Sequence, residues 1–116
     1  MVVGYKLGQL NEYDNSFIDI DIPKEFAGIK LKKVKLGTAD RFNDDKRDYD
    51  NLISLGADIR DMEGGAIIQT CFINDMPLVM IKTITDIYGT DTIKQFYENK
   101  KIAISKLHEL MKKLFK

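Results

Sequence analysis

The chain has 116 residues, 44% of them hydrophobic and 31% charged, with one cysteine and one histidine. That length suits one domain with a small core, and 18 basic against 18 acidic residues leave a formal net charge of zero, so no global field draws nucleic acid or an anionic membrane. Cys71 alone excludes an internal disulfide, and with His108 as the only histidine the nitrogen and sulfur ligands of a zinc centre are lacking.

Residues 1–23 are punctuated by Gly and Asn and hold short alternating stretches such as FIDIDI at 17–22, the pattern of a loop or a hairpin-like edge. No apolar run approaches the ~20 residues that span a bilayer, and the first residues do not read as a secretory signal. A soluble, cytoplasmic protein is the expectation. IKLKKVKLGTAD at 29–40 alternates Lys with Ile, Leu and Val, as a strand with one wetter face does. RFNDDKRDYDNLISLG at 41–56 opens as a loop and continues into an amphipathic helix that ends near Gly56.

ADIRDME at 57–63 then reads as a short strand. GGAIIQTCFIND at 64–75 reads as a helix with Ile67, Ile68, Cys71 and Phe72 on one face. Beyond Pro77, LVMIKTITD at 78–86 is apolar and β-branched, which fits a strand covered on both faces. The last segment, DTIKQFYENKKIAISKLHELMKKLF at 91–115, spaces Ile93, Phe96, Tyr97, Ile104, Leu107, Leu110, Met111 and Leu114 as one long amphipathic helix. Alternating strands and helices predict an α/β class with a mostly parallel sheet, organised as one domain over residues 1–116. Cys71, Met76 and Met80 read as core, His108 as surface or packing, and the seven lysines from Lys94 onward as a solvated helix face.

The polar residues fall at two turns. Glu63 stands where a strand gives way to a helix, and Asp86 stands just past the end of the apolar strand. In open α/β sheets ligands bind off the carboxyl ends of the strands, so these carboxylates, with Met62 and Phe42 on neighbouring turns, can line one mixed pocket. They can equally be helix caps held by the dipole, and Asp61 can serve the cap in place of Glu63. Spacing leaves both readings open.

Four blocks in order, GYKLGQL at 4–10, LGTADRFN at 36–43, DMEGGAIIQTC at 61–71 and VMIKTITD at 79–86, resemble the purine nucleoside phosphorylase and nucleosidase superfamily. The pattern is most nearly that of its methylthioadenosine/S-adenosylhomocysteine nucleosidases. The resemblance implies a partial αβα sandwich, phosphorylase/hydrolase-like, that lacks the family's N-terminal half. It implies that Glu63 hydrogen-bonds the ribose hydroxyls, that Met62 packs on the sugar, and that Phe42 stacks on the purine. The backbone of Asn43 falls where the family reads the adenine edge, although the side chain there is usually apolar. Thr85 takes the place of a more usual Ser, and Asp86 resembles the general acid that protonates the purine N7.

The implied reaction is cleavage of the N-glycosidic bond of adenine-type nucleosides, without cofactor or metal. An acid at Asp86 neutralises the departing base, an effect typically worth about 100- to 10,000-fold. It calls for a partly desolvated setting, which the apolar, β-branched run preceding it, with Ile81 and Ile84, is expected to supply. A carboxylate at Glu63 suits the cationic character that the sugar acquires. The resemblance places the water-activating acid in a half of the family's chain to which residues 1–40 offer no counterpart. Three alternatives stay open: a non-catalytic adenine-nucleoside-binding module, an assembly module, and a purine nucleoside phosphorylase. Half of such a sheet would leave an open edge and an apolar face, so a homo-oligomer or a complementing N-terminal half is the expected partner.

Overall fold

A computed structural model describes Ile18 and residues 20–115. The GYKLGQL block, and Phe17 and Asp19 of FIDIDI, lie outside the described residues. After a short 3₁₀ turn at Lys24–Phe26, the chain runs through strand β1 (Leu36–Thr38), helix α1 (Lys46–Ser54), strand β2 (Ile59–Asp61), helix α2 (Gly64–Ile73) and helix α3 (Thr92–Leu114). β1 and β2 pair in parallel, with Leu36 opposite Ile59 and Thr38 opposite Asp61. α1 is therefore the crossover of a β-α-β unit, as the alternating pattern implied. Backbone bonds extend the ladder at both ends, from Asp58 N–H to the Lys35 carbonyl at 2.8 Å and from Ala39 N–H to the Asp61 carbonyl at 3.0 Å.

α1 begins and ends where its sequence predicts. Asp45 caps the start by accepting the Arg47 N–H at 2.8 Å. At the end Gly56 turns left-handed (φ 71°), and its N–H reaches the Ile53 carbonyl while the Ala57 N–H reaches Leu52. That is the paired 5→2 and 6→1 bonding of a Schellman stop. α2 stops the same way with an aspartate in the glycine's place. Asp75 adopts φ 51°, its N–H bonds the Phe72 carbonyl, and the Met76 N–H bonds Cys71.

α1 lies close over the sheet at Gly37, where an added Cβ would come within 2.4 Å of Leu52 Cδ2 and 3.0 Å of the Ala57 Cβ. α3 is fastened by its first residue. Thr92, 1% exposed, hydrogen-bonds the Asp44 carboxylate through its hydroxyl.

Three expectations need correction. Strand character at 29–40 is confined to residues 36–38, because only these lie opposite β2. Residues 78–86 carry no strand at all: an apolar, β-branched run becomes a strand only beside a ladder partner, and the sheet among the described residues has two strands, β1 and β2. An α/β unit with a parallel pair is present; helices covering both faces of a wider sheet are not seen among the described residues.

The packed stripe of α3 is also rotated from the predicted one. It centres on buried Ala103, with Gln95, Asn99, Leu107, Leu110 and Leu114 half-buried in register, while Tyr97, Ile104 and Ile93 are 71%, 59% and 53% exposed. The polar Gln95 and Asn99 join the packed side because they hydrogen-bond residues 85–90.

Ala103 is the buried hydrophobic residue among those described, and Met76, expected in the core, is 60% exposed. The radius of gyration, 15.8 Å, exceeds the about 13 Å of a compact chain this long. Much apolar surface therefore stays in water. No helix among the described residues is long and apolar enough to cross a membrane.

Candidate functional site

The parallel pairing of β1 and β2 sends two loops out of the same, carboxyl, edge of the sheet. Past Thr38 the chain enters the segment that bears Phe42 and Asn43, and past Asp61 it enters the turn that bears Met62 and Glu63. This is the edge at which open α/β sheets receive ligands. It brings together two of the predicted groups that lie 20 residues apart in sequence.

The cap question is settled by hydrogen bonds. Glu63 occupies the cap position of α2, yet its side chain makes no cap bond and is exposed. Asp61 does that work instead: its Oδ2 accepts the Gly64 N–H at 2.9 Å. Thr38 Oγ1 accepts the Gly65 N–H at 2.8 Å while donating to Asp61 Oδ1 at 2.9 Å. Two of the open amides at the start of α2 are thus filled from the strand ends. Asp86 is not a cap either, because the cap of α3 is Asp91. Both carboxylates singled out in the sequence are free of helix-capping duty.

Asp86 sits in a segment clasped by α3. Asn99 Nδ2 donates to the Thr85 carbonyl at 2.8 Å, and the Ile87 N–H donates to Gln95 Oε1 at 3.1 Å. Since Gln95 and Asn99 stand one turn apart on the helix, they grip the backbone immediately before and after Asp86. The Thr85 hydroxyl donates to Asp86 Oδ2, and both residues are half-buried.

The apolar wall expected around Asp86 is incomplete. Ile84 is 58% exposed and Ile87 is 67% exposed, because no strand among the described residues covers them.

Phe42 packs edge-on against Phe96 of α3, with ring centroids 5.4 Å apart. It stays 40% exposed, so part of its ring remains open for stacking. Asn43 is a structural brace: its Oδ1 accepts the Asp45 N–H at 3.0 Å, its Nδ2 donates to Asp48, and its carbonyl accepts from Arg60 at 2.8 Å. These bonds give the polar side chain at this position a structural role. Met62 is 45% exposed.

Phe42 and the Thr85–Asp86 pair are thus both fastened to the first half of α3, while Met62 and Glu63 stand at the head of α2. One interaction ties the two groups. Lys82, four residues before Asp86, places its Nζ 2.7 Å from Asp61 Oδ2. No hydrogen bond or ion pair joins Glu63 directly to Asp86 among the described residues.

Thr38, Lys82, Gln95 and Asn99 were not singled out from the sequence. Their roles are to place other groups, and single polar residues inside apolar patterns give no signal for that. Two clefts among the described residues lie elsewhere. One, about 330 Å³, separates Ile18, Ile20, Asp21 and Pro23 from Ile68, Cys71 and Phe72 of α2. The other, about 310 Å³, lies between Thr83–Ile84 and Ile102–Ala103 of α3. The first is lined mainly by apolar side chains, the second equally by apolar and polar ones, and neither holds a predicted site residue.

Among the described residues two titrations are displaced, both at the head of α1. The Arg47 backbone N–H holds the Asp45 carboxyl below its usual range, and the hydrogen bond to Asp50 raises Lys46. Among the described residues no three potential ligands converge to hold a metal ion.

Residues 15–116 match the family model described as "Phosphorylase superfamily". The chain is 30% identical over 102 residues to a 5'-methylthioadenosine/S-adenosylhomocysteine nucleosidase of Arabidopsis thaliana, covering 86% of this chain and 39% of that protein. It is 28% identical over 87 residues to a 5'-methylthioadenosine nucleosidase of the same plant, covering 73% of this chain and 33% of that protein. A 5'-methylthioadenosine/S-adenosylhomocysteine nucleosidase of Marinomonas sp. (strain MWYL1) is 24% identical over 123 residues, covering 97% of this chain and 53% of that protein. The chain therefore spans between a third and about half of these relatives. No solved structure matches it.

Proposed function

The chain belongs to the phosphorylase superfamily, and on that premise we propose that it serves the cleavage of the N-glycosidic bond of adenine-type nucleosides such as methylthioadenosine, releasing adenine. Its nearest support is that the relatives above carry nucleosidase names. The structural observation that carries the assignment of residues is the division of labour at the α2 turn. Asp61 caps the helix, so Glu63 is left exposed at the ligand-receiving edge with no hydrogen bond among the described residues to satisfy it. An exposed carboxylate there suits the two hydroxyls of a ribose.

In this reading Phe42 stacks on the base with its open face, and Met62 lies against the sugar. The Asn43 carbonyl is already held by Arg60, so the base edge falls to the Asn43 N–H. Asp86, oriented by the Thr85 hydroxyl, donates its proton to the purine N7 as the bond to the sugar breaks. The electron pair of that bond leaves with the protonated base, which thereby departs as neutral adenine, and Glu63 faces the positive charge left on the sugar. Attack by water completes hydrolysis; attack by phosphate would make the reaction a phosphorolysis.

The test is adenine release from methylthioadenosine, followed by absorbance in a coupled assay, with and without added phosphate. Release without phosphate supports hydrolysis, and release only with phosphate supports the phosphorylase alternative. Glu63→Gln should abolish either while leaving the fold intact, since that side chain makes no cap bond. No release in either buffer, with adenine still bound, would sink turnover by the isolated chain.

That last outcome defines a second reading, a binding or assembly module without turnover. It draws support from the span of the chain against its relatives and from the exposure of Ile84, Ile87, Ile104 and Phe72. Such surface suits a partner, either a second copy or a complementing N-terminal half. Sedimentation at micromolar concentration tests it: a stable monomer that binds no hydrophobic dye would argue against any such partner.

A further inference from the structure

The ion pair between Lys82 and Asp61 lies between the two halves of the candidate site, and neither residue has a part in the chemistry proposed above. The Lys82 side chain is 32% exposed and the Asp61 side chain 12%, so the pair is partly shielded from solvent. Asp61 is fully committed. Its Oδ1 accepts from Thr38, and its Oδ2 accepts both the Gly64 N–H and the Lys82 ammonium. The carboxylate therefore joins the end of β1, the head of α2 and the 78–86 segment at one point. Met62 and Glu63 are the two residues between Asp61 and the first amide it caps. Their turn is pinned at both ends by the same side chain.

We infer that Asp61 and Lys82 form a positioning latch, which fixes the Met62–Glu63 turn against the segment bearing Asp86 so that the sugar-reading carboxylate and the base-protonating carboxyl are held as a pair. This rests on the nucleoside reading of the site. The inference goes beyond it by naming what sets the spacing between the two carboxyl groups. Because Asp86 is separately gripped by Gln95 and Asn99, releasing Lys82 frees the ribose side of the site and leaves the base side anchored. The latch thus predicts an asymmetry between ligands that carry a sugar and ligands that do not.

The experiment is calorimetric titration of the wild-type chain, Lys82→Met and Lys82→Arg with two probes, methylthioadenosine and free adenine. Hydrogen exchange is read across residues 62–66 and 82–86 in the same samples. In Lys82→Met, affinity for methylthioadenosine should fall on the order of tenfold, the usual scale for losing one charge-assisted contact, while affinity for adenine stays within about twofold. Lys82→Arg, which can bond the same oxygen, should restore the sugar-bearing ligand. Exchange should rise at 62–66 in the Met variant while α3 stays protected.

An equal loss for both probes, or no loss for either, overturns the latch. So does unchanged exchange at 62–66. If the wild-type chain binds neither probe, the nucleoside reading falls, and the exchange result still decides whether Lys82 holds the turn.

Discussion

Replacing Gly64 by alanine isolates the junction on which the site depends. Gly64 is buried at the first position of α2, and its backbone is ordinary helix, so alanine meets no conformational penalty. Helix propensity alone would favour the substitution by up to about 0.8–1.0 kcal/mol. The surroundings oppose it. An added Cβ would stand 2.4 Å from Leu36 Cδ2 and 2.6 and 3.0 Å from the two carboxylate oxygens of Asp61. The leucine terminus can rotate away at small cost. The carboxylate cannot, because it is bonded to Thr38, Gly64 and Lys82.

Overpacking of this kind costs about 1–3 kcal/mol, and a displaced cap about 1 kcal/mol more, so the net expectation is a loss of about 2 kcal/mol. In urea denaturation followed by circular dichroism this moves the midpoint down by about 1–2 M for a slope of about 1–2 kcal/mol/M. Gly65→Ala is the control. Its Cβ would meet the Thr38 Cβ and Oγ1 at 3.2 Å, a squeeze that a small shift relieves, and the change should stay within about 0.5 kcal/mol. If Gly64→Ala proves as stable as the wild type, or Gly65→Ala proves the more damaging, Asp61 is not held as described.

Three other outcomes follow from the same structure. Asn99→Leu removes the donor to the Thr85 carbonyl; amide exchange at 85–87 should quicken and adenine affinity should fall about tenfold in titration calorimetry, with the far-UV spectrum of α3 unchanged. Asp75→Gly relieves a left-handed aspartate at the stop of α2 and should stabilise by about 0.5 kcal/mol in a urea midpoint comparison; a loss would mean that the Asp75 side chain contributes something the geometry does not reveal. Asp45 titrates below its usual 3.8 because the Arg47 N–H favours the charged form. Its contribution to α1 is therefore present above that pH and lost as pH falls through the folded value. NMR amide shifts of Lys46–Asp48 should move in that acidic window, and Asp45→Asn should remove the dependence.

How much was legible from the chain depended on whether a signal was local. α1 could be read because its start and stop are written in neighbouring residues, Asp45 before Arg47 and Gly56 after Ser54. The β-α-β order was likewise legible in the alternation of patterns. The run at 78–86 misled because strand identity belongs to a pair of segments, and Val79 to Ile84 say nothing about whether a partner lies beside them. In α3 the large apolar residues suggested a stripe through Tyr97 and Ile104, but small Ala103 and the amides of Gln95 and Asn99 face the chain. Hydrophobic size is a poor guide where the thing being packed is a polar backbone. At the α2 turn, spacing offered two carboxylates for one cap. Only the bond from Gly64 to Asp61 distinguished them, and that choice is what releases Glu63.

The sparse interior has a calorimetric consequence. Unfolding is cooperative and strongly temperature-dependent to the extent that it newly exposes apolar surface, which supplies the positive heat-capacity change. Here Phe115, Tyr97, Ile87 and Ile73 already stand 66–71% exposed in the folded form, with Ala103 the buried hydrophobic residue among those described. The isolated chain should melt over a broad range, with a heat-capacity step per residue well under the usual ~12–15 cal/mol/K. Any associate that covers those residues should sharpen the transition and enlarge the step together, so a melting curve alone reports when the exposed side of this fold has found its cover.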